Sequence, residues 1–316
     1  MRRNRALSTI ALSSVAAAAL TSAVRAQGSA DKIRVTGPPT EDATSMYYAI
    51  KSGAFGRGGI DAEYTPSNSG AAGVAAVIAG SFEITRTSLN AVLAAHLRGI
   101  DMVLIAPANV HDSRTPLALL QTPVDSTIKT GAELNGKVVA VPSLGDLNTI
   151  AVRAWSDKNG GDWKSLKLVE LPNSAIEAAL EQHRIDAAIM QSPQVFASLA
   201  AGTTRTLGDA WSAIAPRFQV GVYVARKDWI TSHPDLVRRI LSIYGEATAY
   251  TNSHPAETAP YAAEMTKAEL ASVQKMRRTV YATTLEPDLI QPVIDAAAKY
   301  DAISRRFPAR EIFAFG

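Results

Sequence analysis

Apolar and polar positions along this chain switch repeatedly between a period of about two and one of about 3.6, the marks of strands and helices in alternation. A short strand begins at Ile33-Arg34-Val35 and ends in the rigid turn Gly37-Pro38-Pro39-Thr40. Helix is expected from about Thr44, with Met46, Tyr47, Ile50 and Phe55 on one face, stopping at the glycines between 56 and 59. Ile60 to Tyr64 alternates as a strand. Ser67-Asn68-Ser69-Gly70 opens an Ala/Val-rich helix that closes at Gly80, and Ser81 to Asn90 passes through a strand into a second polar loop. A helix from about Ser88 to Leu97 follows, and Met102 to Ala106 is the continuous apolar run of a buried parallel strand.

At Asn109 to Thr115 the rhythm breaks into a polar segment, the first candidate crossover between two units. It then resumes. Strands are expected at Leu117–Gln121, Val138–Val141, Leu166–Leu171 and Ile185–Met190, with a short helical step at Ile128–Leu134. Helices are expected after Ser143-Leu144-Gly145-Asp146 and over Ser174–His183. Val220 to Ala225 is a further strand, preceded by the return crossover. From Pro234 the pattern is helical, over Leu236–Tyr250, Pro255–Met265, Leu270–Met276 and Leu289–Tyr300, and these helices are expected to pack on the first unit. Strand–helix alternation of this length predicts α/β sheets with right-handed crossovers, and a chain that leaves a unit and returns has the geometry of a hinge.

Composition changes the picture at the N-terminus. Arg2, Arg3 and Arg5 head a small-residue and apolar run from Ala6 to Val24, and Val24-Arg25-Ala26 offers small residues where a signal peptidase cuts. Residues 1–26 are therefore expected to be a signal peptide, with export to the periplasm. They hold four arginines and no acid, so the remainder has 28 basic against 29 acidic residues, a net charge of about −1 rather than +3. No basic patch interleaved with aromatics points to nucleic acid. There is no cysteine, which excludes disulfides, thiolate metal sites and a cysteine nucleophile. No later run reaches the ~18 apolar residues of a membrane span.

The residues of the 67–90 stretch carry the candidate chemistry. Loops at the carboxyl ends of strands in open parallel sheets line a ligand crevice. Ser67 to Gly70 would present backbone N–H groups at a helix N-terminus, a place that favours anionic or polar groups. Thr87 and Ser88 would reach the same rim from the next strand. Arg86 could grip an acid through its fork, but strand alternation turns it away from Thr87.

Four pieces in order resemble the periplasmic substrate-binding proteins of ABC importers, in the nitrate/sulfonate/taurine and thiamine-pyrimidine-precursor group. They are Met46-Tyr-Tyr-Ala-Ile-Lys-Ser-Gly-Ala-Phe55, Ala79-Gly-Ser-Phe-Glu-Ile84, Leu134-Asn-Gly-Lys-Val-Val-Ala-Val-Pro142 and His183-Arg-Ile-Asp-Ala187. The resemblance spans roughly residues 31–250. It implies a two-lobe, type II Venus-flytrap α/β fold, each lobe a mixed sheet flanked by helices, with lobe 1 built from 27–112 and 221–316 and lobe 2 from 113–220. It also implies a small-molecule solute held between the lobes, delivery to an ABC permease, a monomer not embedded in the membrane, and no cofactor. Carried onto this sequence, the implied ligand-binding positions are Thr40, Asp42, Asn68, Ser69, Gly70, Thr87, Ser88 and Asn109, then Ser143, Gly145, Asp146 and Gln191. The chain departs from its relatives at Leu144-Gly145-Asp146 and at Gln191-Ser192-Pro193, so the second half of the pocket is altered.

Each position also has a purely structural role open to it. Asp146 and Asp42 could be helix caps, Ser67 to Gly70 could be a turn plus cap, and Thr87 with Ser88 could cap the following helix. As ligand groups, Asp42 and Asp146 would favour a solute with an N–H or cationic group. Catalysis finds no support: Ser126-x-x-Lys129 and Lys129-Thr-Gly131 share one lysine, and there is no Gly-x-Ser-x-Gly or His-Glu-x-x-His. The five histidines (96, 111, 183, 233 and 254) have no metal-ligand spacing. The alternatives are a ligand sensor docking on a membrane receptor kinase, and an enzyme like the pyrimidine-precursor synthases.

Overall fold

A computed structural model describes residues 30–314; the signal-peptide expectation lies outside them. The chain lays down β1 (Asp31–Gly37), β2 (Ile60–Pro66), β3 (Ile84–Ser88) and β4 (Met102–Pro107), then β5 (Asn109–Asp112). It continues through β6 (Ala118–Pro123), β7 (Val138–Val141), β8 (Lys167–Glu170), β9 (Ala187–Gln191) and β10 (Thr204–Gly208). β11 (Arg217–Gln219), β12 (Gly221–Arg226) and β13 (Val280–Tyr281) complete the set.

Two five-stranded sheets result, in the orders β2-β1-β3-β12-β4 and β10-β6-β9-β7-β8. In the first, β1 pairs parallel with β2 and β3, while β12 runs antiparallel to β3 and β4. In the second, β7 is parallel to β8 and β9, and β6 runs against β9 and β10. Both sheets are therefore mixed, and helices cover both faces. One face of the first sheet packs Ile33, Val35, Ile84 and Tyr223 on the helices Thr44–Lys51 and Pro234–Ser253. Its other face packs Leu104, Val222 and Val224 on the helices Gly70–Ile78 and Leu89–Leu97.

The crossovers form a sheet of their own, β11-β5-β13. β5 leaves the first sheet and β11 returns to it, antiparallel, with Arg217 opposite Asp112 and Gln219 opposite Val110. Gln219 Nε2 donates to the carbonyls of Asn109 and Gly221, tying the two crossovers together where they meet the first sheet.

Three departures from the sequence reading have local causes. The first helix breaks after Lys51 because Gly53 adopts φ +75°, and a short second helix, Ala54–Arg57, buries Phe55. The Ile128–Leu134 step narrows to a single 3₁₀ turn over Ala132–Leu134. The last helix, Pro287–Lys299, does not confine itself to the first unit. Asp157, on the helix Leu147–Lys158 beside the second sheet, takes Lys299 Nζ at 2.7 Å and the Tyr300 hydroxyl at 2.9 Å.

Candidate functional site

The carboxyl edges of the two sheets meet. Asn90, in the first turn of the helix after β3, donates its side-chain N–H to the carbonyl of Gly145, in the loop after β7. Gly145 sits at φ +81°, a backbone that a side chain disfavours.

On the first-sheet rim, Ser69 caps the helix Gly70–Ile78 by accepting the Ala72 N–H at 3.1 Å. Gly70 lets that helix lie on β3, since a Cβ there would run into the Thr87 hydroxyl. Thr87 is wholly buried and its Oγ1 has no partner among the described residues. Ser88 ends β3 and precedes the next helix, with no side-chain cap bond. Asn68 is exposed. Thr87, Gly70 and Ser69 are thus brought together as read from the sequence.

A second group gathers on the opposite face of β3. Asp42 is buried and paired with Arg86, their side chains 8% and 10% exposed. The Thr40 hydroxyl donates to Asp42 Oδ1 at 2.6 Å. Gly221, opposite Ser88 in the β3–β12 ladder, is the floor of this group. A methyl at Gly221 would come within 2.6 Å of Asn109 Oδ1 and 2.9 Å of both Arg86 Nη2 and Asp42 Oδ2. Burial pushes the Arg86 guanidinium down to about 10, still charged at neutral pH. Arg86 Nε and Asn109 Oδ1 are buried without partners among the described residues. Alternation does place Arg86 and Thr87 on opposite faces. The sequence reading left Arg86 out of the site because it omitted side-chain length: the guanidinium extends to the level of Ser88 and Gly221, at the strand's carboxyl edge.

On the second-sheet rim, Asp146 caps the helix Leu147–Lys158, accepting the N–H groups of Asn148 (2.8 Å) and Thr149 (3.2 Å) and the Asn148 amide (2.9 Å). Burial pushes its carboxyl up to about 6 against the opposing effect of those donors. Ser143 accepts the Thr149 hydroxyl through its carbonyl at 3.4 Å. Gln191 donates to Asn148 Oδ1 at 3.3 Å, and Trp211 Nε1 donates to the same oxygen at 3.0 Å. Asn148 and Trp211 are therefore the hub that holds Asp146 and Gln191 in place, and the sequence offered no sign of it. A hollow of about 510 Å³ lies beside the crossover sheet, lined by Val110, Asp112, Arg114, Thr115, Arg217 and Val280, none of them a predicted position.

Both carboxylates singled out from the sequence are thus engaged within the protein, Asp42 by a guanidinium and Asp146 by a helix N-terminus. Neither presents an uncompensated negative charge to a solute. What remains at the meeting edges is a helix start at Gly70, the Thr87 hydroxyl and the Asn90 amide.

Two mixed sheets, paired crossover strands and apposed carboxyl edges define the periplasmic-binding-protein architecture. The chain belongs to the NMT1/THI5-like family, whose model matches residues 40–258. No curated protein sequence matches the chain. Among solved structures, the periplasmic aliphatic sulphonate-binding protein SsuA from Escherichia coli is similar, with a TM-score of 0.74 and 17% identity over 90% of this chain and 97% of that one. The alkanesulfonate-binding protein SsuA from Xanthomonas axonopodis pv. citri, bound to MOPS, has a TM-score of 0.72 and 16% identity over 90% and 99%. The desulfurization enzyme DSZB has the same fold, with a TM-score of 0.67 and 14% identity over 90% and 96%.

Proposed function

We propose that this protein is an exported solute-binding protein that captures a small polar or anionic organic molecule, of the sulfonate, taurine, carboxylate or pyrimidine kind, between two lobes and hands it to an ABC permease. The lobes are residues 27–112 with 221–316, and residues 113–220. The observation that carries the reading is the paired crossover: β5 and β11 are the strands about which one sheet can swing against the other. Solute contacts available only when both rims engage would shift the balance toward the closed form. The acid of the solute fits the start of the Gly70 helix, where first-turn N–H groups and the Thr87 hydroxyl offer donors.

The likeness to sulfonate-binding proteins and the signal-like N-terminus support capture outside the cytoplasm. Among the described residues no helix is long and apolar enough to cross a membrane. An enzymatic role has one formal foothold, the Ser212–His111–Asp209 cluster. There, however, a single ring nitrogen, His111 Nε2, faces both Ser212 Oγ (3.0 Å) and Asp209 Oδ2 (3.5 Å). A working triad needs the acid on the other nitrogen, so the cluster favours a structural role.

The test is a thermal-shift screen of residues 27–316 against sulfonates, carboxylates, amino-sulfonates, pyrimidines and nitrate. A ligand at ~100 times its Kd adds ~2.7 kcal/mol, a clear rise in Tm. No rise with any of them would overturn the reading.

A further inference from the structure

We infer that Asn90 is a positioning latch that couples occupancy of the crevice to closure, and that the solute it reads is a short organic acid bearing an O–H or N–H donor. The inference rests on the capture of an acid between the lobes. Asn90 is 4% exposed and is the residue through which the first rim hydrogen-bonds the second. The Gly145 carbonyl can only accept, so the Asn90 amide must turn its nitrogen to it. Its oxygen is thereby fixed in the opposite sense, and Oδ1 is buried with no partner among the described residues. A buried amide oxygen left unpaired is unfavourable, and a donor on the solute removes that penalty at the same residue that holds the rims together.

The neighbouring chemistry narrows the class. Thr87, three residues earlier in β3, carries a second buried oxygen with no partner among the described residues, on the same rim. Asp42 and Asp146 are neutralised or capped within the protein, so the donor on the solute need not be an ammonium. A neutral acceptor such as Oδ1 takes a hydroxyl, an amide N–H or an ammonium. Short hydroxy- and amino-substituted sulfonates or carboxylates have both features. Plain alkanesulfonates have only the acid.

Three probes of nearly equal size separate the terms: isethionate (hydroxyl), taurine (ammonium) and 1-propanesulfonate (methyl). Calorimetry on the wild-type protein should give isethionate or taurine at least about tenfold tighter than propanesulfonate, because a site built to pair a donor rejects the analogue lacking it. In Asn90→Ala that preference should shrink to within about threefold while propanesulfonate affinity changes least. Asn90→Asp keeps an acceptor but loses the donor to Gly145. Saturated with isethionate, it should remain more open than the wild type by small-angle scattering. Equal weakening of all three probes in Asn90→Ala, or no preference in the wild type, would overturn the inference while leaving acid capture standing. Failure of the wild type to bind any of the three, and any acid of the thermal-shift screen, would overturn both.

Discussion

Asp42→Asn removes one charge from a pair that the fold encloses on every side, and its cost can be worked from the structure. Arg86 stays charged when its partner is lost, since a guanidinium is too basic to give up its proton near neutral pH. Its Nε is already without a partner, and losing Asp42 also takes away the anion facing Nη2. Breaking a buried pair on one side costs about 3–5 kcal/mol, because the surviving charge is neither solvated nor paired. Replacing both partners with uncharged groups of similar shape is often neutral. Urea unfolding followed by the fluorescence of the four tryptophans should therefore place Asp42→Asn some 3–5 kcal/mol below the wild type. The double variant Asp42→Asn/Arg86→Met should recover most of that loss. A loss below about 1 kcal/mol for the single variant would place the pair in the solvated class and refute the enclosure argued here.

Three further outcomes are expected. Asp146 has a folded pKa of about 6 against an ordinary 3.8, so the folded state holds its proton more firmly and this group's contribution to stability falls as pH rises from about 4 to about 6. Asn is an equal cap, so Asp146→Asn should raise Tm at pH 7 relative to the wild type but not at pH 4; the difference is at most about 3 kcal/mol and is reduced by partial exposure. Gly70→Ala should push its helix off Thr87, lowering stability by about 1–3 kcal/mol and weakening acid binding, and Thr87→Ala in the same chain should restore packing without restoring affinity, by melting and calorimetry. Gly221→Ala should destabilise by a similar ~1–3 kcal/mol without altering any charge, by driving a methyl into Asn109, Arg86 and Asp42, and urea unfolding would detect it.

The architecture was legible because its signals are local. Val138–Val141 and Met102–Ala106 are apolar runs bounded by turn residues, and the structure makes them β7 and the greater part of β4, but β4 pairs antiparallel with β12 at the end of its sheet rather than as the parallel strand its continuous apolar run suggested. A cap within Ser67 to Gly70 was likewise written in neighbouring residues, whereas the close approach of Gly70 to Thr87 was not. The stretch from Gln194 to Gly208, a helix and then β10, escaped notice because its helix is short and its strand lies at the sheet edge, where polar and apolar residues mix. The crossover strands β5 and β11 are only four and three residues long, too short for any period to register.

Site chemistry was less legible, because burial partners come from distant segments. Asp42 and Arg86 are 44 positions apart, and nothing in either neighbourhood announces the other. Asn148 reads as an ordinary helix residue until Gln191 and Trp211 are seen to converge on it. Alternation sorted Arg86 and Thr87 onto opposite faces but says nothing about how far a long side chain reaches along a strand.

The central claim is that a small organic acid closes the two lobes on each other. Small-angle scattering of residues 27–316, with and without the acid that raises Tm most, tests it directly. The account predicts a smaller radius of gyration in the bound protein, with one transition between two forms as the acid is titrated. Tight binding with a superimposable scattering curve would contradict it.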